Sequence, residues 1–458
     1  MNIIICGAGK VGFSISKQLS VQGHSITVVD QSSELIQKLN ETQDVKGIVG
    51  RATFPSVLEK AGAEDTDMII AVTKNDETNM VICQVAHSIF NITKKIARIR
   101  TQEFLGTKWR KLYGESNLPI DVIISPELEV AKSLQRKLEA PGALDSVPFA
   151  DGKVKVLEIN IGEICPIANT PLSKLTEKFP DLRANILGVI RGDKFVILKK
   201  KDKMLVNDKA FVVVSASQMN TTLSAFGHEE KMAKKILIIG GGNIGLNLAK
   251  NLEADSEGTR VKIIEKDKGR AELIANELNN TIVINGDGLD EDVLKEANIE
   301  EAETILALTN DDEDNIMLSV LAEKNNPNKR TIALVTKQNY GLLQNSLKID
   351  DLVDPRLTTV STILKHVHKG TIETVYTLLD GEYEFIEAEV LETSELISKS
   401  IKDSGLPEEI RIGAIVRDKN IIIPKSDFKF EKKDLVVFLS KREHLPKVES
   451  LFRISSLI

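Results

Sequence analysis

Two glycine-rich turns carry the clearest chemical pattern in the chain. Each follows a short apolar run and precedes a segment with helical periodicity: Gly7-Ala8-Gly9-Lys10-Val11-Gly12 in the first half, and Gly240-Gly241-Gly242-Asn243-Ile244-Gly245 in the second. In a Gly-x-Gly-x-x-Gly turn the first glycine allows the bend, the second lets the backbone approach a pyrophosphate, and the third lets strand and helix pack closely. The N–H groups of the following helix then face the phosphates. An ordinary tight turn can show the same glycines, so the surroundings must decide.

An acidic residue follows each turn at the spacing that a dinucleotide site requires. Asp30 ends the second predicted strand, 23 residues after Gly7, and Glu265 stands at the corresponding place of the second half. A carboxylate there accepts hydrogen bonds from ribose hydroxyls and repels a 2′-phosphate. This favours NAD(H) over NADP(H), but it does not separate NAD(H) from ATP or ADP. A turn-capping Asp30 and a solvated Glu265 are the alternatives, and their occurrence in both halves favours nucleotide binding.

Residues at the ends of later strands complete the candidate sites. Thr73 and Lys74 follow the fourth strand of the first half, and Thr309 follows that of the second, at the edge where open α/β sheets bind ligands. Helix capping is the alternative for the threonines. Asp287, after the third strand of the second half, is a candidate contact to adenine or ribose, and its counterpart is Arg51.

A pair of arginines occurs in one half only. Arg98 and Arg100 lie two residues apart on a strand predicted near 96–100, which places both side chains on one face of the sheet. Guanidinium groups there are expected to donate hydrogen bonds to phosphates, and a solvated sheet edge is the alternative. Leu334 and Thr336 stand at the matching positions of the second half. The two sites are therefore predicted to differ, with the arginine pair sensing a terminal phosphate.

These matches belong to an internal duplication. Ile26–Asp30 corresponds to Val261–Glu265 with an offset of 235 residues, and Thr73–Asn79 corresponds to Thr309–Asn315 with an offset of 236. Small drifts of the offset fall in loops, where insertions are tolerated.

Short apolar strands alternate with helical stretches in each copy. The strands of the first copy are predicted near 2–6, 26–30, 46–49, 68–72, 96–100 and 121–124. Such alternation is typical of a parallel, doubly wound sheet. After about residue 140, where Pro141-Gly142 and Pro148 interrupt the chain, short β-rich runs predict a small α+β domain. The predicted domains are Rossmann-like over 1–125, small α+β over 140–225, Rossmann-like over 233–356, and small α+β over 370–455.

The composition limits the class of protein. The 458 residues are 42% hydrophobic and 28% charged, which fits several soluble globular domains. The net charge of −7 gives no sign of a nucleic-acid-binding surface. No apolar run approaches the roughly 18 residues of a membrane span. The three distant cysteines, Cys6, Cys83 and Cys165, fit a reducing compartment, so a cytoplasmic location is expected.

No pattern predicts a catalytic centre or a metal site. The chain has no Gly-x-x-x-x-Gly-Lys-Ser/Thr loop, its six histidines lack metal-ligand spacing, and no nucleophile and base stand out together. The duplicated small domains also do not provide one substrate site facing one cofactor. An NAD-dependent oxidoreductase and a soluble nucleotide sensor with a non-membrane partner remain as alternatives to a non-catalytic regulator.

Taken in order, these motifs resemble the RCK (KTN) family, in the two-unit form found in regulatory proteins of the bacterial Trk potassium-uptake system. The resemblance covers essentially the whole chain. Besides the glycine turns and the acids, it includes Ala97–Arg100, Ile124–Glu127, Gly286–Gly288 and Val353–Arg356. It implies two Rossmann-like RCK domains, each followed by an RCK C-terminal domain.

The same resemblance implies a function. RCK domains of this kind bind NAD(H) or ATP/ADP and assemble into homo-oligomeric rings. They lie at the inner face of the cell membrane, where they gate a membrane-embedded potassium transporter subunit of the Trk type. In this family an arginine at the position of Arg98 or Arg100 helps to hold phosphates.

Overall fold

The computed structural model describes residues 1–114, 116–179, 182–192, 194–255, 258–325, 329–337, 340, 344, 346–367, 372–378, 382–407, 409–418 and 420–452. Part of the predicted fourth domain (370, 371, 379–381, 408, 419 and 453–455) therefore lies outside the described residues. The chain forms two compact units. Unit 1 comprises Met1–Gln135 and Ala233–His366, and unit 2 comprises Arg136–Met232 and Val367–Ile458.

The first large sheet is parallel and doubly wound. Its strands are β1 Asn2–Cys6, β2 Ser25–Asp30, β3 Lys46–Val49, β4 Met68–Ala71, β5 Lys94–Arg98 and β6 Val122–Ile124. The connecting helices are α1 Lys10–Val21, α2 Ser33–Thr42, α3 Pro55–Lys60, α4 Asp76–Ser88 and α5 Gln102–Leu105, and α6 Pro126–Glu139 follows the last strand. The strand order β3-β2-β1-β4-β5-β6 changes direction between β1 and β4, and ligands bind at such a switch point in open α/β sheets.

The first small sheet is antiparallel, in the order β10-β9-β11-β8-β7. Its strands are β7 Asp145–Phe149, β8 Val154–Asn160, β9 Ala184–Arg191, β10 Lys194–Val196 and β11 Lys209–Ser215, with helices α7 Leu172–Lys178 and α8 Met219–Ala225. Pro148, where the sequence predicts an interruption, lies inside β7 instead. An edge strand tolerates proline because one of its sides has no ladder to complete.

The second large sheet repeats the first. Its strands are β12 Lys235–Ile239, β13 Arg260–Glu265, β14 Ile282–Asn285, β15 Thr304–Ala307, β16 Arg330–Leu334 and β17 Asp351–Val353, in the order β14-β13-β12-β15-β16-β17. The helices are α9 Asn243–Asp255, α10 Lys268–Glu277, α11 Glu291–Glu296, α12 Asp312–Asn325 and α13 Pro355–Lys365.

The second small sheet has the same strand order as the first when read from the opposite edge. Its strands are β18 Ile372–Leu378, β19 Tyr383–Glu389, β20 Arg411–Arg417, β21 Asn420–Ile422 and β22 Leu435–Lys441, followed by helix α14 Leu445–Phe452. The sheet is antiparallel. The fold class predicted from the sequence is thereby confirmed: two Rossmann-like sheets, each followed by a small α+β module.

The central strands of unit 1 are apolar and buried on both faces. Ile3, Ile4 and Ile5 of β1 are almost fully buried, as are Ile236 and Leu237 of β12, because helices cover both faces of a parallel sheet. The two large sheets of unit 1 meet through helices. In this contact α13 packs against α1 and β6.

The two small sheets of unit 2 share an apolar core. Phe211 of β11 and Phe385 of β19 have ring centroids 5.9 Å apart, and both side chains are fully buried. At Gly413 a Cβ atom would lie 2.6 Å from Val213 Cγ2, so glycine allows the two sheets to approach closely. Among the described residues, no helix is both long and apolar enough to cross a membrane.

Candidate functional site

The first glycine turn leaves its backbone open toward the switch point. Gly7 has φ +115°, and a Cβ atom there would lie 3.0 Å from the carbonyl oxygen of Val72. A Cβ atom on Gly12 would lie 1.8 Å from the carbonyl oxygen of Gly7, so helix and strand pack too closely for any side chain. A Cβ atom on Gly9 would meet no heavy atom within 4 Å. The turn at Gly240–Gly245 repeats this geometry. In both turns the first and third glycines of the motif are packed closely against backbone atoms, and the second glycine has open space beside it.

The ribose-binding candidates are held in place by the backbone. Asp30 Oδ2 accepts a hydrogen bond from the N–H of Ala8 at 2.6 Å, and Oδ1 accepts one from the N–H of Ser32 at 2.8 Å. Glu265 accepts two backbone N–H groups in the same manner, both at 2.8 Å. Each carboxylate oxygen keeps a further lone pair, so the acids are oriented but still able to accept hydroxyl groups.

A cleft of about 650 Å³ opens at the switch point of the first large sheet, and we call it the first cleft. The predicted site residues that line it are Gly7, Gly9, Lys10, Val11, Asp30, Thr73, Lys74 and Arg98. Ala8 and Gly12 are not among the described residues that line it. Ala8 donates its N–H to Asp30, and Gly12 lets α1 pack closely against the turn. Arg51, noted from the sequence as the counterpart of Asp287, also lines this cleft.

A buried asparagine that the sequence reasoning did not assign holds the edge of the first cleft. Asn79 Oδ1 accepts the N–H of Thr73 at 2.9 Å and the hydroxyl of Thr73 at 2.7 Å. Its Nδ2 donates to the carbonyl oxygen of Arg98 at 2.8 Å. Asn315 makes the equivalent bonds to Thr309 and Leu334. The signal was present, since Thr73–Asn79 and Thr309–Asn315 repeat the same spacing, but the pattern does not show that the amide joins two strand ends.

Arg98 lies between two clefts. Its Nη2 donates to the carbonyl oxygen of Thr73 at 2.6 Å, and its Nε is buried with no hydrogen-bond partner in the part of the chain that the structure describes. Burial and then the neighbouring charge of Arg100 lower the pKa of Arg98. A guanidinium with a spare buried donor at the cleft wall is suited to an anionic ligand.

Arg100 does not share the strand face predicted for it. β5 ends at Arg98, because the N–H groups of Arg100 and Thr101 donate to Asp76 Oδ2 at 2.9 and 2.8 Å instead of continuing the ladder. The Arg100 Nε donates to Glu127 Oε1 at 2.9 Å. The prediction of two arginines on one strand face is therefore wrong.

A second cleft of about 530 Å³ lies at the switch point of the second large sheet and extends to the first half. The predicted residues that line it are Gly242, Asn243, Ile244 and Thr309 from the second half, and Val11, Arg98 and Arg100 from the first. Gly240, Gly241, Gly245, Glu265 and Asp287 are not among the described residues lining this cleft.

Asp287 is engaged in an ion pair instead. Its carboxylate lies 2.7 Å from Lys266 Nζ and is 42% exposed. The hydrogen bond from Lys266, followed by one from the N–H of Leu289, lowers the pKa of Asp287. Its counterpart Arg51 faces the first cleft, so the two positions differ in surroundings as well as in charge.

The second half has a cation of its own that the sequence reasoning missed. Arg270, on the first turn of α10, donates from Nε to the carbonyl oxygen of Gly241 at 2.8 Å and from Nη2 to Asn243 Oδ1 at 3.1 Å. It lines the second cleft, whereas its counterpart Leu35 lines the first. An arginine five residues after Glu265 was the available signal.

The fold and the clefts define a class of protein: two Rossmann-like domains in tandem, each with a glycine turn and a ribose-type acid at its switch point. The TrkA-N domain family matches residues 3–126 and 236–355, and the TrkA-C domain family matches residues 385–453. The chain therefore belongs to the family of the Trk system potassium uptake protein TrkA.

Full-length relatives support this membership. The Trk system potassium uptake protein TrkA of Azorhizobium caulinodans is 44% identical over 455 residues, covering 99% of each chain. The protein of the same name from Vibrio alginolyticus is 36% identical over 457 residues, again covering 99% of each chain.

Solved structures share the fold. A crystal structure of the GsuK RCK domain matches with a TM-score of 0.60 at 18% identity, covering 98% of this chain and 94% of that one. The GsuK channel bound to NAD also matches with a TM-score of 0.60, at 17% identity, covering 98% of this chain and 78% of that one. The RCK-type architecture expected from the sequence is thus confirmed.

Proposed function

We propose that the chain is a non-catalytic, nucleotide-dependent regulatory subunit of a Trk-type potassium uptake system. It binds NAD(H) or ATP/ADP in unit 1, and binding changes the gating of a membrane-embedded potassium transporter subunit. The observation that carries the proposal is the first cleft. This cleft gathers a glycine turn, an oriented acid and Arg98 at the switch point of a chain that belongs to the TrkA family.

Each residue of the first site has a proposed role. The backbone of Gly7, Gly9 and Lys10 faces the phosphates, where the start of α1 offers free N–H groups. Asp30 accepts the ribose hydroxyls. Arg98, whose side chain lines the first cleft, donates to a phosphate oxygen.

The second site is proposed to use a different set of groups. Gly242, Asn243, Ile244 and Thr309 form its wall, and Arg270 supplies the positive charge. Glu265 serves the ribose only if the ligand extends beyond the residues that line the second cleft. The remaining predicted contacts are Gly240, Gly241, Gly245 and Asp287, of which the last would first have to leave Lys266.

The organisation around these sites is also a proposal. The domain boundaries are 1–125, 140–225, 233–356 and 370–455, and copies of the chain assemble into a ring of RCK units. The ring lies on the inner face of the cell membrane and does not bind nucleic acid.

A matched pair of substitutions tests nucleotide binding. At both Gly9 and Gly242 an added Cβ would meet no heavy atom within 4 Å, so Gly9→Val and Gly242→Val are expected to fold like the unmodified chain. Each valine fills the space where a pyrophosphate approaches the turn. We expect Gly9→Val to reduce the calorimetric affinity for ATP, ADP and NAD(H) at the first site by at least about 100-fold, a loss that two or more charged hydrogen bonds explain.

The control variant and a transport assay complete the test. Gly242→Val is expected to leave first-site affinity unchanged. In vesicles containing the transporter subunit, nucleotide added with the unmodified chain is expected to change potassium flux, and Gly9→Val is expected to abolish that change. Nucleotide binding with no effect on flux would reject the gating role. Steady nicotinamide turnover with a small substrate would instead indicate an oxidoreductase.

A further inference from the structure

The first cleft is completed by the second half of the chain. Thr336, which follows β16, and Arg356, at the start of α13, line it together with residues of the first large sheet. The same helix packs against α1, the helix that the first glycine turn opens. A ligand in the first cleft is therefore within reach of groups from both halves of unit 1.

Arg356 is held firmly by its neighbour. Asp354 caps α13 by accepting the N–H of Arg356 at 2.8 Å. Its two carboxylate oxygens also accept the Arg356 guanidinium, Oδ1 from Nε at 3.1 Å and Oδ2 from Nη2 at 2.8 Å. The side chain of Arg356 is 25% exposed. A guanidinium that is already held by two hydrogen bonds to one carboxylate loses little conformational freedom when it binds a planar anion.

The residue of the first half that matches Arg356 carries the opposite charge. Ser125 and Glu127 stand at the start of α6 where Asp354 and Arg356 stand at the start of α13, each pair separated by a proline. Glu127 lines the second cleft. It is buried, and its Oε2 has no hydrogen-bond partner among the described residues. The first half thus contributes the carboxylate of Glu127 to the second cleft, while the second half contributes to the first cleft the guanidinium of Arg356, which lines both clefts.

The side chains that line the first cleft carry a net positive charge. Its described lining holds five cationic side chains, namely Lys10, Arg51, Lys74, Arg98 and Arg356, against one carboxylate, Asp30. When Asp354, which is paired with Arg356, is also counted, an excess of three positive charges remains, and it favours a ligand with several phosphates over one with a single phosphate. In the second cleft Glu127 and Asp312 oppose the arginines.

We propose that Arg356 is a phosphate-binding residue that the second half contributes to the first site. A nucleotide bound there is then held by the glycine turn and Arg98 of one half and by Arg356 of the other, with Arg356 reading phosphates beyond the α-phosphate. This inference rests on the proposed function, and it names the group that lets one ligand bind both halves together. Of the two arginines predicted from the sequence to sense a terminal phosphate, Arg98 and Arg100, the second is instead paired with Glu127 at the second cleft.

The test measures how the effect of one substitution depends on phosphate number. In the full-length chain, Arg356→Ala is expected to weaken ATP binding about 10- to 100-fold, the range for a charged hydrogen bond to phosphate. ADP should lose less affinity, and AMP less than about threefold. Arg356→Lys should restore part of the loss because it keeps the charge without the planar fork. Arg270→Ala, which removes an arginine from the second cleft only, should leave first-site binding unchanged.

A second background separates the two sites. In Gly9→Val, where the first cleft is filled, any ATP binding that remains belongs to the second site. Because Arg356 also lines the second cleft, any loss that Arg356→Ala causes in this background is its effect at the second site, and that loss should not depend on phosphate number. An equal loss for ATP and AMP, or no loss in a chain that binds ATP at the first site, would overturn the role of Arg356 and leave the proposed function intact. If the unmodified chain binds none of these nucleotides, both proposals fail.

Discussion

Glu384 is a fully buried carboxyl group on β19 of the second small sheet. Burial raises its pKa to about 7, although the neighbouring charge of Arg442 acts in the opposite direction. The ordinary pKa of a glutamate is about 4.3. Between that value and 7 the folded chain therefore holds a proton at Glu384 that the unfolded chain has released. Because the folded state binds more protons in this range, the free energy of unfolding falls as pH rises through it.

Replacing Glu384 with glutamine is expected to remove this pH dependence. At pH 4.5 the variant Glu384→Gln should unfold at nearly the same denaturant concentration as the parent. At pH 8 it should be more stable by about 3 kcal/mol, since each pKa unit corresponds to about 1.4 kcal/mol and most of the pKa difference is crossed between these two pH values. Denaturant unfolding measured across this pH range checks the prediction. Glu395→Gln, an exposed position of the same domain, is the control and should follow the parent at every pH.

At the scale of elements, one buried amide in each large sheet joins the ends of two neighbouring strands. Asn79 connects Thr73, beyond β4, to Arg98 at the end of β5, and Asn315 connects Thr309 to Leu334. Both asparagines are almost fully buried. The amide thereby fixes the edge of the sheet where each cleft opens, and the position of Arg98 depends on it.

The variants Asn79→Ala and Asn315→Ala form a matched pair that isolates this effect. Each should cost about 2–3 kcal/mol of stability, because buried backbone groups lose their partners. Only Asn79→Ala should also weaken first-site nucleotide affinity, since only that variant releases the strand end that carries Arg98. Denaturant unfolding and calorimetric titration of both variants test this. Equal effects on first-site affinity would contradict it.

At the scale of the whole molecule, the duplication is used differently in the two units. In unit 1 the two copies are in contact through helices, and each copy contributes charged side chains to the cleft of the other. In unit 2 the copies share one apolar core, in which Phe195 and Tyr383 have ring centroids 4.6 Å apart and Phe211 lies against Phe385. Charged contacts rearrange more easily than a shared apolar core, so unit 1 is the part in which the proposed nucleotide binding would change the contacts between copies.

Replacing one buried phenylalanine of this shared core with alanine tests how much the core contributes to stability. Phe385→Ala should destabilise unit 2 by about 3–5 kcal/mol, the usual cost of removing a buried phenylalanine. Faster hydrogen exchange should appear in both small sheets, because each loses contacts to the same ring. Phe54→Ala, at a position 50% exposed in unit 1, should change exchange in unit 2 very little. Protection lost in the second small sheet alone would contradict a shared core.

Local patterns predicted the fold class and the core of the first site. The strands of the first large sheet begin and end within two residues of their predicted positions, because continuous apolar runs and glycine turns are local signals. Gly7, Gly9 and Asp30 line one cleft as expected, since the ends of parallel strands meet at one edge. The β7 strand was not predicted, because proline usually interrupts a strand and the sequence does not show that this strand lies at the edge of its sheet.

What the sequence determined by itself is the duplication, the two doubly wound sheets, and a glycine turn followed by an acid in each. The sheets, turns and acids follow from spacing within about 30 residues, where chain geometry leaves few alternatives, and the duplication follows from the repeat of that spacing 235 to 236 residues later. Only the tertiary structure decided that Arg356 faces the first cleft, that Arg100 faces the second, and that Asp287 is paired with Lys266. Arg356 and Arg100 act across the contact between halves, and Asp287 meets Lys266 across neighbouring strand ends of one half; in each case distance along the chain carries no information about which groups meet.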